Sequence, residues 1–412
     1  MSAICIYFKV HQPYQLKSYD SLDIGVNHLY EDVASDRAII HDLADRCYLP
    51  TNELLLSLIR IMDDKFKVSF SFSGVILELL GRYRPDVIDS FRKLIATGCV
   101  DVLGETYYHS LSYLHSKEEF NRQVRLHSEL IQKLFGVVPQ VFRNTELIYD
   151  NALAQQAFRL GFTGVLCEGA GSILRGRSPN ELYQSPGKER MPLLLRNSHL
   201  SDDIAFRFDD PYWSEYPLTA EKFAEWIHSH PSGTRVINLF LGYETFGIYK
   251  GKDTGIFDFL RALPEKVLAR ADHFFRLPTE VIRDIEITGE YDVPEMISWE
   301  NQSAADSAWS RNVMQNNTLK KIYSLERMAM AAPLQEMQAI WGRLQAADYF
   351  FYMLDPATKD AFKYISPFPS PEAVFRWYTN MVFDLEIRLI EQTVAAGKKR
   401  LTRKGWSILN NN

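Results

Sequence analysis

The stretch Leu239–Gly247, LFLGYETFG, joins an apolar run to an abrupt polar end. Together with Val236–Leu241 (VINLFL) it reads as a buried strand, since a short continuous run of β-formers bounded by polar residues suits a strand covered on both faces. The same grammar recurs upstream in Ile4–Lys9 (ICIYFK), Phe66–Phe72 (FKVSFSF), Cys99–Leu103 (CVDVL), Gln140–Phe142 (QVF), Thr163–Cys167 (TGVLC) and Ile204–Phe208 (IAFRF). Most gaps between these runs carry helical periodicity, as in Asn52–Met62, Pro85–Ala96, Lys117–Phe135 and Leu153–Leu160. Strand alternating with helix predicts parallel strands joined by helical crossovers, in an α/β barrel or an open doubly wound sheet.

The strand ends favour the barrel. The first strand runs into His11-Gln12-Pro13, the third into Glu105-Thr106-Tyr107-Tyr108-His109, the fourth into Arg143-Asn144-Thr145-Glu146, and the last into Gly242-Tyr243-Glu244. In a barrel these C-terminal ends meet on one face, where such folds keep their active sites. No G-x-G-x-x-G follows an early strand, which removes the main support for a dinucleotide-binding sheet. From about Asn316 strands cease. Leu319–Met330, Leu334–Met353 and Pro371–Ala396 are periodic enough to form helices, so we expect a barrel over residues 1–300 and a C-terminal helical bundle over 301–412. The basic tail GKKRLTRKG suits a solvated helix end, where cations complement the helix dipole.

The bulk composition excludes several function classes. With 46 basic and 52 acidic residues the net charge is −6, which speaks against nucleic acid and against an anionic membrane surface. No window approaches the ~18 consecutive apolar residues of a membrane span, and the start MSAICIYFKV has no export-signal pattern. The cysteines Cys5, Cys47, Cys99 and Cys167 are far apart and form no C-x-x-C pair, so a reducing cytoplasm without structural disulfides is expected. Aromatic residues make up 13%, which a large core or a sugar site would each use.

Among chemistry-bearing residues Glu146 stands out. A carboxylate at a barrel mouth can attack an anomeric carbon, and a cation such as Arg143 nearby would keep it ionised. It can equally serve as a helix-start carboxylate satisfying backbone amides. His11 at the first strand end suits a hydrogen-bonded structural histidine better than a ligand. H-E-x-x-H and H-x-x-x-H are absent, so no metal is expected, and without G-x-S-x-G no serine nucleophile is indicated.

Taken together, HQP, SFSGVILE, GETYYHSL, RNTELIY, RSPN, LSDDIAFRF, YETFG and ISWEN…SAW…N-x-M-Q resemble the family 57 glycoside hydrolases, and within them the α-amylase-like branch. The likeness spans roughly residues 1–350. It implies a (β/α)7 barrel, an incomplete TIM-like barrel, with a C-terminal helical bundle, and retaining cleavage of α-1,4-glucans without a cofactor. The family nucleophile falls on Glu146. The resemblance also carries substrate-binding roles onto His11, Gln12, Glu105, His109, Arg143, Tyr243, Glu244, Trp299 and Asp306. Its general acid/base is an Asp immediately before YETFG, and that position is Gly242. Retaining hydrolysis needs two carboxyl groups about 5–5.5 Å apart, one attacking and one shuttling the proton. Other positions drift as well: Ile248-Tyr249-Lys250 replaces a His and Gln, the Gly171–Asn180 segment lacks the family tryptophan, and Glu300-Asn301 and Ser310-Arg311-Asn312 replace Ala-Asp and Leu-Gly-Asn. These changes imply a homologue that binds α-glucan or maltooligosaccharide with hydrolysis impaired or lost. The alternatives are an active hydrolase or 4-α-glucanotransferase with a different acid/base, and a scaffold protein with no glycan role.

Overall fold

Strand β1 (Ser2–Val10) is the hub of the sheet. In chain order the other strands are β2 (Val68–Phe72), β3 (Val100–Leu103), β4 (Val141–Arg143), β5 (Gly164–Glu168), β6 (Leu182–Gln184), β7 (Pro192–Arg196), β8 (Val236–Gly242), β9 (His273–Phe275) and β10 (Gly289–Glu290). The computed structural model that defines them describes residues 2–231, 233–299, 309–355 and 366–409. Strand β1 pairs in parallel with β2 and β8, β2 with β3, β4 with β5, and β5 with β7. Two joints are thin. Strands β3 and β4 meet through a parallel bridge at Gly104 and Phe142, and β7 touches β8 at the single pair Arg196–Asn238. The parallel strands thus follow one another around an incomplete barrel that no continuous ladder closes. Strand β6 lies antiparallel to β7, while β9 pairs with β1 and β10 with β6.

Helical crossovers fill the intervals where the periodicity placed them: Leu49–Ile61, Pro85–Ile95, Lys117–Phe135 and Asn151–Arg159. One expected strand is absent. Ile204–Phe208 lies in a wide helical turn, Asp203–Arg207, that continues the helix Ser198–Asp202. The Asn197 side chain caps that helix by accepting the Leu200 amide at 3.0 Å, so alternation of apolar and polar residues loses to a helix already started. The place in the barrel goes to Pro192–Arg196, whose leucines are fully buried. Its leading proline is harmless there, because the first residue of a strand can forgo its amide bond.

The strand period of two sorts side chains into an inner and an outer set. Ala3, Cys5, Tyr7, Leu103, Val141, Leu166, Leu194 and Val236 form one buried cluster inside the ring. Phe8, Phe70, Phe72 and Tyr243 point the other way; the last three pack with Phe91 of a covering helix at ring-centroid distances of 4.8 to 6.0 Å, and Phe8 lies 5.0 Å from Tyr243. All four cysteines are free and buried.

By its internal contacts the chain separates into two compact units: Met1–Gln12, Arg37–Tyr107 and Asn121–Ala305 on one side, and Pro13–Asp36, Tyr108–Phe120 and Asp306–Asn412 on the other. The second is helical. The expected helix Leu319–Met330 is two, Val313–Ser324 and Glu326–Ala331, and Leu334–Met353 is likewise split into Gln335–Arg343 and Ala347–Phe351. The last helix runs from Pro371 to Leu409. Its buried Asp384 accepts the Tyr30 hydroxyl at 2.6 Å and the Gly25 amide at 2.7 Å, which ties the early Pro13–Asp36 segment into this unit. No helix among the described residues is long and apolar enough to cross a membrane.

The strand assignment carries a stability prediction. Leu194→Ala empties part of the inner cluster and is expected to cost about 2–5 kcal/mol. Phe206→Ala, at an exposed position of the helical turn, should cost under about 1 kcal/mol. Urea unfolding of the two variants side by side checks the order; a reversed order would restore Ile204–Phe208 as the barrel strand.

Candidate functional site

The site is built at the C-terminal end of β1 and its neighbours. In the β1–β8 ladder Tyr7 faces Phe240 and Lys9 faces Gly242. In-register partners on adjacent strands point to the same side, so any side chain at position 242 would project into the barrel mouth beside Lys9. The Lys9 ammonium lies 3.5 Å from Glu146 Oε1. This differs from the expected neighbour: Arg143 turns inward from β4 and pairs instead with Glu105 at 3.1 Å, its guanidinium lying 5.4 Å from the centre of the Phe240 ring. Both members of that pair are fully buried. Ser71 also donates to Glu105, so the pair forms a polar floor beneath the mouth.

Glu146 sits in the turn Thr145–Leu147, not on a regular helix, and both Glu146 (φ 53°) and Leu147 (φ 52°) occupy the left-handed region. Non-glycine residues rarely adopt that conformation unless their surroundings over-determine it. The surroundings here are explicit. Tyr149 and Ile297 exchange two backbone hydrogen bonds of 2.9 Å, and the Trp299 amide donates to the Glu146 carbonyl at 3.3 Å. The segment ending in Trp299 is thereby laid along the Glu146 turn. The Trp299 indole NH donates to Glu146 Oε2, so the two carboxylate oxygens are addressed by different partners, Lys9 and Trp299. The Trp299 ring lies parallel to that of Phe206, with centroids 6.4 Å apart.

Two glycines of LFLGYETFG have opposite meanings. Gly247 has φ +108°, and a Cβ there would stand 2.0 Å from the Arg46 carbonyl oxygen. That position demands glycine. Gly242 has φ −67° and ψ 133°, ordinary strand values. A Cβ on it would meet only Glu244 Oε2 at 3.7 Å and Thr245 Oγ1 at 4.0 Å, which is plain van der Waals contact. Neither backbone nor packing therefore requires glycine at 242.

Glu244 is buried, with Oε1 accepting the Tyr48 hydroxyl at 2.7 Å and the His11 amide at 3.4 Å. Burial raises its pKa above the usual carboxylate value, against the opposing pull of the Tyr48 hydrogen bond and the Lys9 charge. The His11 ring is held by Ser73 Oγ, 2.7 Å from Nδ1, and Ser73 itself caps the helix Gly74–Tyr83. Tyr243 turns outward, stacked on Tyr48 with its hydroxyl on Asn52. Gln12 lines a cavity together with Glu244. His109 belongs to the second unit, where its carbonyl accepts the Ala347 amide at 3.0 Å. Asp306 lies outside the described residues, as do Glu300 and Asn301.

The structure brings Glu146, Trp299, His11 and Glu244 to the strand ends, and adds residues that the sequence reading did not single out. Lys9 is one. Its signal was available, since a lysine closing an otherwise apolar strand marks the point where the interior becomes polar. The buried pair Glu168–Arg196 is another, 3.2 Å apart on in-register positions of β5 and β7. Arg196 also pairs with Asp202. Because β7 was not recognised as a strand, nothing in the sequence placed Arg196 beside Glu168. Glu168 Oε1 finds no partner among the described residues, and burial pushes this carboxyl up to about 7 despite Arg196.

Strand ends bearing a clamped carboxylate above a polar floor belong to an α/β barrel whose polar groups gather at the C-terminal face, where such folds keep their active sites. Comparison with known proteins narrows the class. The model of glycosyl hydrolase family 57 matches residues 5–294, and the chain belongs to that family. It is 38% identical over 405 residues to a Methanocaldococcus jannaschii protein provisionally called an α-amylase, covering 94% of this chain and 85% of that one. The 4-α-glucanotransferase of Thermococcus litoralis superposes with a TM-score of 0.70 at 16% identity, over 94% of this chain. The chain spans only 60% of that enzyme's length. A family 57 branching enzyme of Thermococcus kodakaraensis gives 0.68 at 14% identity, covering 94% of this chain and 90% of the enzyme. At such identities the superpositions speak for the fold: these neighbours share the barrel and the helical C-terminal region.

The Glu168 carboxyl makes a pH prediction. Its pKa is 4.5 in the unfolded chain and about 7 in the folded protein. Between those values the folded state keeps a proton that the unfolded state has released, so this group's contribution to stability falls as pH rises through the window. Glu168→Gln should flatten that fall in denaturant unfolding measured from about pH 4.5 to 7. An unchanged slope would mean that the Arg196 pairing keeps Glu168 ionised throughout.

Proposed function

We propose that the chain is an α-amylase-like binder of α-1,4-glucans whose hydrolysis is impaired for want of a proton donor at position 242. The observation that carries this reading is Gly242 itself: a strand residue with ordinary dihedrals and room for a side chain, pointing into the mouth beside Lys9. Glu146 is offered here as the nucleophile, with the Lys9 ammonium 3.5 Å from its Oε1. Without an acid to protonate the leaving oxygen, attack at the anomeric carbon must expel an alkoxide. Losing a general acid/base costs about 10²–10⁴-fold in rate. Binding is less affected, because Glu146, Trp299, His11 and Gln12 can still donate to and accept from sugar hydroxyls. Family relatives named as an α-amylase and a 4-α-glucanotransferase support an α-glucan as the ligand.

A second reading is favoured by Glu244. Its Oε2 would lie 3.7 Å from a Cβ at position 242, and burial raises its pKa above the usual carboxylate value. In that case the chain is a slow hydrolase or 4-α-glucanotransferase with Glu244, directly or through one water, as its acid.

The test compares native protein, Gly242→Asp, Glu146→Gln and Glu244→Gln by maltooligosaccharide calorimetry and product analysis. The first reading expects native binding with little turnover, and a gain of about 10²-fold or more in Gly242→Asp. Native turnover that Gly242→Asp does not improve, and that both Glu146→Gln and Glu244→Gln abolish, would replace it with the second.

A further inference from the structure

We propose that the Lys9 ammonium stands in for the missing acid of this mouth, giving its proton to the leaving oxygen while Glu146 attacks. The inference rests on the α-glucan reading above and names the proton donor through which its impaired turnover runs. No motif in the sequence singles Lys9 out; its place in the fold does, by position, room and access. Lys9 and Gly242 are register partners on β1 and β8 and face the same side. The lysine stem thus leaves the sheet beside the backbone from which a carboxyl at 242 would hang. A Cβ on Gly242 would have only Glu244 Oε2 and Thr245 Oγ1 within 4 Å, and no atom of Lys9. The stem leans to Glu146, with Nζ 3.5 Å from Oε1, and there is room beside Gly242 for it to swing into when a sugar seats against the carboxylate. The Lys9 side chain keeps 18% of its surface exposed, against 6% for Glu146. The rival groups are committed. Glu244 is buried, its Oε1 taken by the Tyr48 hydroxyl and the His11 amide. Arg143 is paired with Glu105, and Arg196 with Glu168 and Asp202, and a guanidinium does not give up its proton in any case.

Protons and charge balance with these two residues and water. In the first half a Glu146 oxygen bonds to the anomeric carbon, the glycosidic C–O bond breaks, and its electron pair goes to the leaving oxygen. That oxygen takes a proton from Lys9 Nζ, which leaves an ester on Glu146, a neutral amine and a free sugar hydroxyl. In the second half water attacks the anomeric carbon and gives a proton to the amine, while the electron pair of the ester bond returns to Glu146. A sugar hydroxyl in place of that water gives transfer to a second glucan. An alkylammonium is a stronger acid than a sugar alcohol, so proton transfer to a departing alkoxide runs downhill. The two opposed charges vanish together and reappear together, so neither half leaves a lone charge in the mouth. The resting ion pair favours the reactants, which keeps the rate low.

The test follows maltooligosaccharide turnover in Lys9→Arg and Lys9→Met, each made in the native chain and in Gly242→Asp. Arginine keeps a cation beside Glu146 without a transferable proton, and methionine keeps a stem without the charge. In the native chain both should lose about 10²-fold or more of the turnover. In Gly242→Asp the aspartate carries the proton, so Lys9→Arg should cost under about tenfold there, whereas a merely structural lysine would cost the same in both. A second readout is the covalent adduct. A nitrophenyl α-maltoside has a leaving group that needs no proton, so Lys9→Arg should form the ester on Glu146 and, lacking the base for the second half, retain it. The adduct is read as a mass increase of the intact protein that Glu146→Gln does not show. Matching thermal unfolding of native protein and variants, expected for a partly exposed side chain, separates lost chemistry from lost fold. Lys9→Arg turnover within about threefold of native, equal losses in both backgrounds, or a Lys9→Arg protein without adduct overturns the role of Lys9 alone. Native binding with no turnover above that of Glu146→Gln does the same. A native protein that binds no maltooligosaccharide overturns the α-glucan reading and this role together.

Discussion

Lys9 reaches from β1 to the Glu146 carboxylate, and much of the site is arranged around that ion pair. It exists because β1 and β8 run parallel in a register that brings Lys9 and Gly242 side by side at the barrel mouth. Lys9 can reach Glu146 only because the Thr145–Leu147 turn is forced into a left-handed conformation and held there by Trp299 and the Tyr149–Ile297 bridge.

Below the mouth the barrel is closed off by buried charge. Glu105–Arg143 and Glu168–Arg196 are each an acid–arginine pair buried away from water. Such pairs add little to net stability relative to apolar packing, yet removing one partner alone costs about 3–5 kcal/mol. They do fix which way the strand ends face. Arg143 is committed to Glu105 and to the Phe240 ring, so Lys9 stands as the cation beside Glu146. Both arginines are held inside the protein by these pairs.

Most strands were legible because a continuous apolar run buried on both faces leaves a distinctive record, as in Ile4–Lys9 and Val236–Leu241. The sixth barrel strand was not. Pro192–Arg196 is short, begins with proline and is the second arm of an antiparallel pair, whereas Ile204–Phe208 alternates as a strand should and lies in a helical turn. A local pattern of five residues cannot outweigh an Asn cap and a helix already propagating into it. The error hid Arg196, and with it the only cation that pairs with Glu168 among the described residues. Likewise the alternation in Leu239–Gly247 places Gly242 on the inner face, but not which neighbour shares that face.

By itself, then, the sequence determined the barrel class, the family motifs, the position of Glu146 and the glycine where a proton donor is expected, because these depend on residue identity and on periods of two and 3.6. Only the tertiary structure decided that Lys9 rather than Arg143 attends Glu146, that position 242 accepts a Cβ while Gly247 does not, and that Gln12 and Glu244 line one cavity. Each of those is a distance between residues far apart in the chain or a void between packed elements. Such quantities come from strand register and packing, which no stretch of sequence records locally.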